Sequence, residues 1–330
     1  MKEKNSISAV IPNYNGRLLL EKNIPLLLKA LKKSEKDFEI IISDDSSSDD
    51  SVSFLMQNFP SIKVLVSEKN SGFSVTVNKG IMAAVKDLVF VVNSDVALQE
   101  DYFLTQFKYF ALPDTFGVMG RIDTENGDRT QDAAKYPEWK MSQVNATKNY
   151  LITNPLKDFW VPTFFLSGAN ALMDRKKLQF LGGMDEIFSP FYYEDVDLGI
   201  RAWRMNWKCY YDHEAVCFHP LSTTIGKYHK RKNVRVISKR NKLILHAIHL
   251  EGVKRIWWTT EVLVQALFRW MLLDKKWYQS FYLFLKAGPQ VKLSRERLEK
   301  QFASNKGRLS LETVVSNIRS DIGQFDKKLF

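Results

Sequence analysis

Three carboxylates, those of Glu194, Asp195 and Asp197, lie within four residues, directly after an aromatic run. Acids this close repel one another, so the chain gains no stability by clustering them. The sequence before them, at residues 181–185, is turn-like, and residues 198–204 are typical of a short helix. The acids therefore stand where a loop enters a helix, a common location for catalytic groups. They could act as a general base, or they could simply favour the positive end of the helix.

Polar clusters follow three apolar runs that are predicted to be strands, at residues 7–11, 38–43 and 88–92. Helical patterns separate the runs, and this alternation predicts an α/β fold with a mostly parallel sheet and helices on both faces. Ligands of such sheets bind beyond the carboxyl ends of the strands. The clusters lie at those ends, so we expect them to form one site: Asn13-Tyr14-Asn15-Gly16, Asp44 to Ser48, and Asn93-Ser94-Asp95.

The residue types in these clusters indicate nucleotide and metal binding. Asp95 follows the most hydrophobic strand, where a carboxylate is suited to hold a divalent cation, and such a cation would help a diphosphate to leave. Asp44 or Asp45 could accept hydrogen bonds from a base or a ribose, or could cap the helix predicted at residues 51–58. The first strand–helix turn has one glycine, Gly16, where a dinucleotide fold needs several, which argues against a nicotinamide enzyme.

The motifs occur in the order Ala9-Val10-Ile11-Pro12-Asn13-Tyr14-Asn15-Gly16, Ile41-Ile42-Ser43-Asp44-Asp45-Ser46-Ser47-Ser48-Asp49, Asn70-Ser71-Gly72-Phe73, Asn78-Lys79-Gly80, Asn93-Ser94-Asp95-Val96, Ser167-Gly168-Ala169, Gly182-Gly183-Met184-Asp185, Tyr193-Glu194-Asp195-Val196-Asp197-Leu198 and Val216-Cys217-Phe218-His219. In this order they resemble the family 2 glycosyltransferases, which have the GT-A fold, a Rossmann-like mostly parallel sheet. The resemblance covers roughly residues 5 to 230. Each motif alone is weak, and their shared order and spacing make the match specific.

The resemblance implies a donor site for a nucleotide sugar. The residues that it assigns there are Pro12, Asn13, Tyr14, Asp44, Asp45, Asn78, Lys79, Asn93, Ser94 and Asp95. In the family's D-x-D element Asn93 replaces the first acid, and Asp95 would hold Mg²⁺ or Mn²⁺. This N-x-D form is similar to the rhamnosyltransferase-like branch, which implies a dTDP- or UDP-sugar donor. His219 matches a position that completes the metal shell in related enzymes, or it is structural.

The resemblance also implies the reaction: an inverting displacement in which Asp195 takes the proton of an acceptor hydroxyl. Glu194 would orient the acceptor, and Asp197 would belong to the same network or cap the following helix. We expect the acceptor to be a growing surface polysaccharide or a lipid-linked glycan. The alternative from another class is a catalytically inactive glycan-binding or scaffold subunit of a polysaccharide assembly complex.

The charge distribution bears on partners. Residues 227–242 contain eight Lys or Arg and no acid, within a net charge of +11. Such a tract could hold the donor diphosphate, approach an anionic membrane surface, or be a solvated helix face. Nucleic acid is disfavoured as a partner because few aromatic residues accompany the Lys and Arg residues of this tract and because the candidate site is acidic.

The region after residue 240 is aromatic and is predicted to be helical. Four tryptophans with interspersed basic residues suit an interfacial pair of amphipathic helices, or helices that pack on the catalytic domain or form a dimer contact: Trp257, Trp258, Trp270 and Trp277. We therefore expect a glycosyltransferase domain at 1–240, with a donor half at about 1–120 and an acceptor half at about 121–240, and a helical region at 241–330 that could associate with the membrane. Residues 121–160 read as a loop or insertion, and residues 291–330 as a solvated helix.

The expected location is the cytoplasm, at the inner face of a bacterial cell membrane. The only cysteines, Cys209 and Cys217, suggest a reducing compartment rather than a disulfide scaffold. No run of about 18 apolar residues predicts a membrane-spanning helix. Oligomerisation is left open.

Overall fold

The computed structural model describes residues 4–154, 159–219, 231–305 and 307–330. In these ranges, the strands are β1 (Ser6–Asn13), β2 (Asp37–Asp44), β3 (Lys63–Val66), β4 (Leu88–Val92), β5 (Ala97–Leu98), β6 (Thr115–Asp123), β7 (Thr130–Asp132), β8 (Ala134–Lys140), β9 (Gln143–Ile152), β10 (Val161–Pro162), β11 (Asn170–Asp174), β12 (Lys208–Phe218) and β13 (Lys327–Leu329). The α-helices are α1 (Arg17–Lys33), α2 (Ser51–Asn58), α3 (Phe73–Ala83), α4 (Arg175–Phe180), α5 (Glu194–Arg204), α6 (Arg231–His249), α7 (Gly252–Phe268), α8 (Lys275–Lys286), α9 (Gly288–Asn305) and α10 (Leu311–Gly323).

A ten-stranded sheet forms the centre of the molecule, with the main strand order β10-β12-β6-β11-β4-β1-β2-β3. Strand β1 runs parallel to both β2 and β4, and β3 runs parallel to β2. Strand β11 is antiparallel to both of its neighbours, β4 and β6. All five side chains of β4 are buried, as expected for a strand covered on both faces. The α/β fold class and the GT-A type sheet predicted from the sequence are confirmed.

The apolar residues form two clusters, one on each face of the sheet. Along β1, Ile7, Ala9 and Ile11 belong to one cluster, whereas Val10 belongs to the other. This division follows from the two-residue period of a strand, which points successive side chains to opposite faces. Two layers of helices therefore hold the strands in place, and the carboxyl ends of β1, β2 and β4 lie side by side.

The prediction of a loop at residues 121–160 was wrong. Much of this segment forms strands, and β9 pairs with both β8 and β13 in a separate three-stranded sheet. The aromatic rings of Tyr136 and Tyr150 meet edge to face across this sheet, with centroids 5.9 Å apart. The Asn, Thr and Lys residues that suggested a loop share these strands with the buried residues. The strands lack the clean alternation of buried and exposed residues that a one-sided sheet usually shows, so their sequence signal is weak.

The prediction of a solvated helix at residues 291–330 was also wrong. Helix α10 buries an apolar stripe in the main core, formed by Leu311, Val314, Val315, Ile318 and Ile322. In the sequence, charged residues of the outer helix face lie between these apolar residues. The average composition of the segment therefore hides the apolar stripe.

Apolar runs in the sequence also predict strands at residues 164–173, 207–211 and 215–218. In the structure the first is confined to Asn170–Asp174. The other two form the single strand β12, which is irregular between Asp212 and Val216. No helix within the described ranges is long and apolar enough to cross a membrane.

Candidate active site

The ends of β1 and β2 are joined by side-chain hydrogen bonds. The Nδ2 of Asn13 donates to Asp44 Oδ2 at 2.8 Å, and the Ser47 hydroxyl donates to the same oxygen at 2.6 Å. The other oxygen, Asp44 Oδ1, accepts from the Ser47 backbone N–H at 2.8 Å. Asp44 is fully buried, so its charge is satisfied by these fixed donors. It orders the edge of the sheet where the sequence predicts the nucleoside.

Asp45 connects this edge to the turn before α3. Its two carboxylate oxygens accept the backbone N–H groups of Ser71 and Gly72, at 2.9 and 2.8 Å. Gly72 has φ of 89°, which favours glycine. A Cβ placed on Gly72 would lie 3.4 Å from the Pro190 Cα. The donor-side turn therefore lies directly against the loop that precedes the acidic cluster.

The third cluster follows β4. The Nδ2 of Asn23, on α1, donates to the Ser94 carbonyl at 2.8 Å and holds the turn. Gly16 lies between this turn and β1, since a Cβ there would approach Asn13 Oδ1 to 2.3 Å and Ser94 Oγ to 3.5 Å. The structure thus brings the three predicted clusters together at one edge. Tyr14 and Pro12 are partly buried at the same edge.

Asp95 and His219 also come together, although 124 positions separate them in the sequence. The His219 Nε2 is 3.2 Å from Asp95 Oδ1. Carboxylate oxygen and imidazole nitrogen both suit a divalent cation. The described ranges contain no group of three or more His, Cys, Asp or Glu placed to hold a metal. The pair therefore fits a cation that draws its other ligands from a diphosphate and water. The buried Asn93 Oδ1 has no hydrogen-bond partner in the described part of the chain.

Asn78 and Lys79 lie differently from the strand-end clusters. The Asn78 amide exchanges two hydrogen bonds with the Met184 backbone, each 2.8 Å long, and so links α3 to the Gly-Gly turn. Lys79 is exposed and donates to Ser67 Oγ at 2.7 Å. Asn78 therefore acts in this structure as a connection between the donor-side and acceptor-side halves.

Glu194 and Asp195 form the first turn of α5. The two residues before them, Tyr192 and Tyr193, have φ of 72° and 78°, a left-handed conformation that costs free energy in non-glycine residues. Burial and the neighbouring Asp195 charge raise the pKa of Glu194. Burial also raises the pKa of Asp195, against the opposing hydrogen bond from the Val196 N–H. Both shifts bring carboxyl groups towards the range in which a general base works near neutrality.

The charges facing Asp195 come from residues 121–160, the segment predicted from the sequence to be a loop or insertion. Lys135 lowers the pKa of Asp195 and Asp132 raises it, each by less than burial and the Val196 N–H do. These two side chains form an ion pair with each other, and Lys135 Nζ donates to Asn149 Oδ1 at 2.9 Å. Strands β7, β8 and β9 therefore contribute to the environment of the acidic cluster.

Asp197 points to the opposite side of α5 and is fully buried. It accepts from Arg201 Nε at 2.7 Å, and it lies 2.8 Å from His249 Nε2. Arg201 also donates to the carbonyls of Leu181 and Gly183, both at 2.8 Å. Burial alone would raise the pKa of Asp197, but Arg201 and His249 outweigh it and lower that pKa. Asp197 thus joins α5, the Gly-Gly turn and α6.

Comparison with known proteins agrees with this geometry. Residues 8–182 match the model of the family described as glycosyl transferase family 2. The chain belongs to this family. The matched region contains the three strand-end clusters and Asn78.

Similar proteins include a chondroitin synthase of Escherichia coli, 25% identical over 63% of this chain and 33% of its own length. An N-acetylglucosaminyl-diphospho-decaprenol L-rhamnosyltransferase of Mycobacterium tuberculosis is 24% identical over 59% of this chain and 70% of its own. The chain therefore spans only a third of the length of the first of these relatives.

Solved structures share the fold. GalNAc-T7, crystallised with UDP, GalNAc and Mn²⁺, superposes with a TM-score of 0.66 at 13% identity, over 98% of this chain and 59% of its own. Residues 1–349 of TarS from S. aureus, in complex with UDP-GlcNAc, give a TM-score of 0.54 at 15% identity, over 96% and 92%. Both are consistent with a GT-A glycosyltransferase fold.

Two residues of this family 2 glycosyltransferase that the sequence did not single out hold the loop at residues 188–192, before the acidic cluster. Asn241, on α6, donates its Nδ2 to the carbonyls of Phe188, Phe191 and Tyr192, at 2.7, 2.9 and 2.9 Å. Arg240 donates to the Ser189 carbonyl at 2.6 Å and to Asn241 Oδ1. Both residues belong to the basic tract at residues 227–242. Its sequence pattern indicates a charged segment and gives no indication of these buried hydrogen bonds. The division expected near residue 240 falls within α6.

Proposed function

We propose that this glycosyltransferase inverts the anomeric centre as it transfers a sugar from a dTDP- or UDP-sugar to an acceptor hydroxyl. The observation that carries the proposal is the close approach of Pro190 to Gly72, where an added Cβ would lie 3.4 Å from the Pro190 Cα. Through it, the donor edge ordered by Asp45 lies against the loop that presents Glu194 and Asp195. A base and a nucleotide site on adjoining loops suit a direct displacement.

In the proposed reaction Asp195 takes the proton of the acceptor hydroxyl. The acceptor oxygen then forms a bond to the anomeric carbon as the bond to the diphosphate breaks, and the electron pair leaves with the diphosphate. Glu194, whose pKa is raised further by Asp195, can keep its proton and donate a hydrogen bond to the acceptor. Its buried Oε2 has no hydrogen-bond partner within the described ranges.

Asp95 and His219 would hold Mg²⁺ or Mn²⁺, which would offset the charge of the departing diphosphate. Asn93 supplies a neutral amide where an acid would add charge, so fewer protein charges are available to the cation. The Mn²⁺ in the solved GalNAc-T7 complex supports this assignment for the fold.

The proposed acceptor is a growing surface polysaccharide or a lipid-linked glycan, handled at the inner face of a bacterial membrane. The names of the relatives support this class: one is a chondroitin synthase, and another is a rhamnosyltransferase whose name specifies a diphospho-decaprenol. The N-x-D sequence at Asn93 to Asp95 supports a deoxysugar donor, as in the rhamnosyltransferase-like branch.

The decisive experiment pairs nucleotide binding with turnover. A thermal-shift screen of UDP, dTDP, GDP and CDP, each with and without Mg²⁺ or Mn²⁺, identifies the nucleotide through its stabilisation of the folded state. Transfer or hydrolysis of the matching sugar donor is then measured for the native chain and for Asp195→Asn. The variant should lose about 10²–10⁴-fold in turnover because it lacks the base, while its nucleotide shift stays unchanged.

Asp212→Asn is the matched control, because Asp212 is also buried and hydrogen-bonded, at 2.6 Å to Thr105, but belongs to β12. Normal turnover in Asp195→Asn would refute the role of Asp195. The absence of a shift with all four nucleotides would favour the inactive scaffold subunit.

A further inference from the structure

An exposed helical hairpin projects from the C-terminal part of the chain. We define the hairpin as residues 252–286, which comprise α7, the turn at Arg269–Leu272 and α8. Half of the exposed large apolar side chains in the described ranges lie within it. Surfaces of this kind normally mark a binding site, because soluble monomers rarely expose large contiguous apolar patches.

The hairpin is anchored on one side only. Trp258 and Trp277 are buried, and the Trp258 ring stacks on His246 of α6 with centroids 6.2 Å apart. Trp257 and Trp270 are exposed. The four tryptophans that suggested an interfacial helix pair are therefore divided between packing on the domain and facing outwards, so both readings of this segment apply in part.

The tip of the hairpin is a run of exposed apolar residues. Trp270, Met271 and Leu272 are consecutive and are 64%, 64% and 75% exposed. The one charged residue among them, Arg269, is bonded to Asp274 at 2.8 Å. Three consecutive large apolar residues cannot all turn inwards at one tight turn, and no part of the chain that the structure describes covers them.

The charges beside the tip are basic. Lys275 and Lys276, at the start of α8, form no ion pair with any acid in the described ranges. The two acids of the hairpin are already engaged: Glu261 accepts from the Ser142 hydroxyl at 2.6 Å, and Asp274 accepts from Arg269. An apolar tip with exposed tryptophan, bordered by uncompensated lysines, is complementary to the surface of an anionic bilayer.

We infer that the hairpin is a docking surface for an anionic lipid bilayer, with the tip at Trp270 to Leu272 inserted among the headgroups. The hairpin packs on α6, which carries the Asn241 clamp of the loop before the acidic cluster and ends at His249, the partner of Asp197. Docking would therefore hold the acidic cluster at a fixed distance from the membrane. Binding needs no sugar transfer, so this inference is independent of the proposed function.

The test is co-sedimentation of the full chain with vesicles of phosphatidylethanolamine containing about one third phosphatidylglycerol, compared with phosphatidylcholine vesicles. The native chain should bind the anionic vesicles, more weakly as salt is added. The triple variant Trp270→Ser, Met271→Ser, Leu272→Ser should bind at least about tenfold more weakly, because each residue contributes apolar area to insertion.

The control is the triple variant Met56→Ser, Val85→Ser, Leu104→Ser, whose residues are 61%, 65% and 55% exposed but lie outside the hairpin. It should bind like the native chain, and circular dichroism should show that both variants are folded. Equal vesicle binding by the tip variant would overturn the inference. So would a failure of the native chain to bind anionic vesicles. A native dimer that the tip substitutions dissociate, without vesicle binding, would identify a second copy as the occupant and would equally overturn it.

Discussion

Replacing Asn241 by alanine should impair catalysis while leaving nucleotide binding intact. In the native chain its Nδ2 donates to three carbonyls of the loop that ends in Tyr192 and Tyr193. Arg240 donates to the Asn241 Oδ1, and this fixes which end of the amide faces the loop. The amide is fully buried, so alanine leaves the carbonyls without a donor.

The expected destabilisation follows from these contacts. An amide nitrogen carries two hydrogens, so the three short distances represent about two full hydrogen bonds. Leaving a buried acceptor unsatisfied costs about 1–3 kcal/mol, which gives a total of about 3 kcal/mol. For a chain of 330 residues this corresponds to a fall in Tm of about 4 °C.

The catalytic effect should exceed what stability alone explains. The left-handed backbone of Tyr192 and Tyr193 costs about 1–3 kcal/mol for each residue and persists only where the surroundings impose it. Without the Asn241 bonds the loop can relax and move Glu194 and Asp195. Because about 1.4 kcal/mol corresponds to a tenfold change in rate, kcat should fall at least about tenfold. The donor KM should stay nearly constant, since the donor edge is formed at the ends of β1, β2 and β4.

The assay combines thermal melts, nucleotide shifts and steady-state kinetics below the Tm of the variant. Asn58→Ala provides the control, because the Asn58 amide makes one bond, of 2.9 Å to the Phe54 carbonyl, in an exposed position. It should change the free energy of unfolding by no more than about 0.5 kcal/mol. If Asn241→Ala melted as expected and kept the native kcat, Asn241 would be structural only and the argument for positioning would fail.

Two further substitutions test the acids around α5. Asp197→Asn should lower the free energy of unfolding by about 3–5 kcal/mol, because Arg201 is left as an uncompensated buried charge. Urea unfolding measures this against the control Glu21→Gln, which removes an exposed ion pair and should cost under about 1 kcal/mol. Equal, small effects of the two substitutions would contradict the role of Asp197. For Glu194 the folded-state pKa is raised, so the folded chain binds more protons than the unfolded one and its stability should decline as pH rises above the ordinary glutamate pKa of about 4.3. Glu194→Gln should reduce this decline, and parallel Tm profiles of variant and native chain between about pH 5 and pH 8 would contradict the assignment.

The donor half of the site could be predicted because its signals are local. Asn13, Asp44 and Asp95 each follow a strongly apolar strand, and parallel strands end at the same edge of a sheet. The pairing of Asn13 with Asp44 then follows from the register of β1 and β2, in which these two residues are partners. The pattern of the sequence thus determines both where these side chains lie and what they meet.

The acceptor half could be predicted only in part, because its contacts join distant segments. The acidic cluster in the sequence indicates Asp195, but no pattern indicates Lys135 or Asn241. Lys135 lies on β8, which pairs with β9. The half-exposed polar face of these two strands dominates the composition of the segment. Asn241 acts through three backbone carbonyls, and an interaction with backbone leaves no complementary side chain in the sequence to indicate it.

Helix α6 contacts three parts of the molecule that the sequence pattern does not connect: the loop before the acidic cluster, Asp197 and the exposed hairpin. Its middle holds the loop before the acidic cluster through Asn241, and its end meets Asp197 through His249. Its His246 stacks on Trp258 of the exposed hairpin. A rigid element that contacts all three sites transmits position from one to another, because packed interiors yield little to small displacements. A change at the hairpin that displaced α6 would therefore alter kcat before it altered nucleotide binding, since the strand ends that carry Asn13 and Asp44 make their bonds to each other.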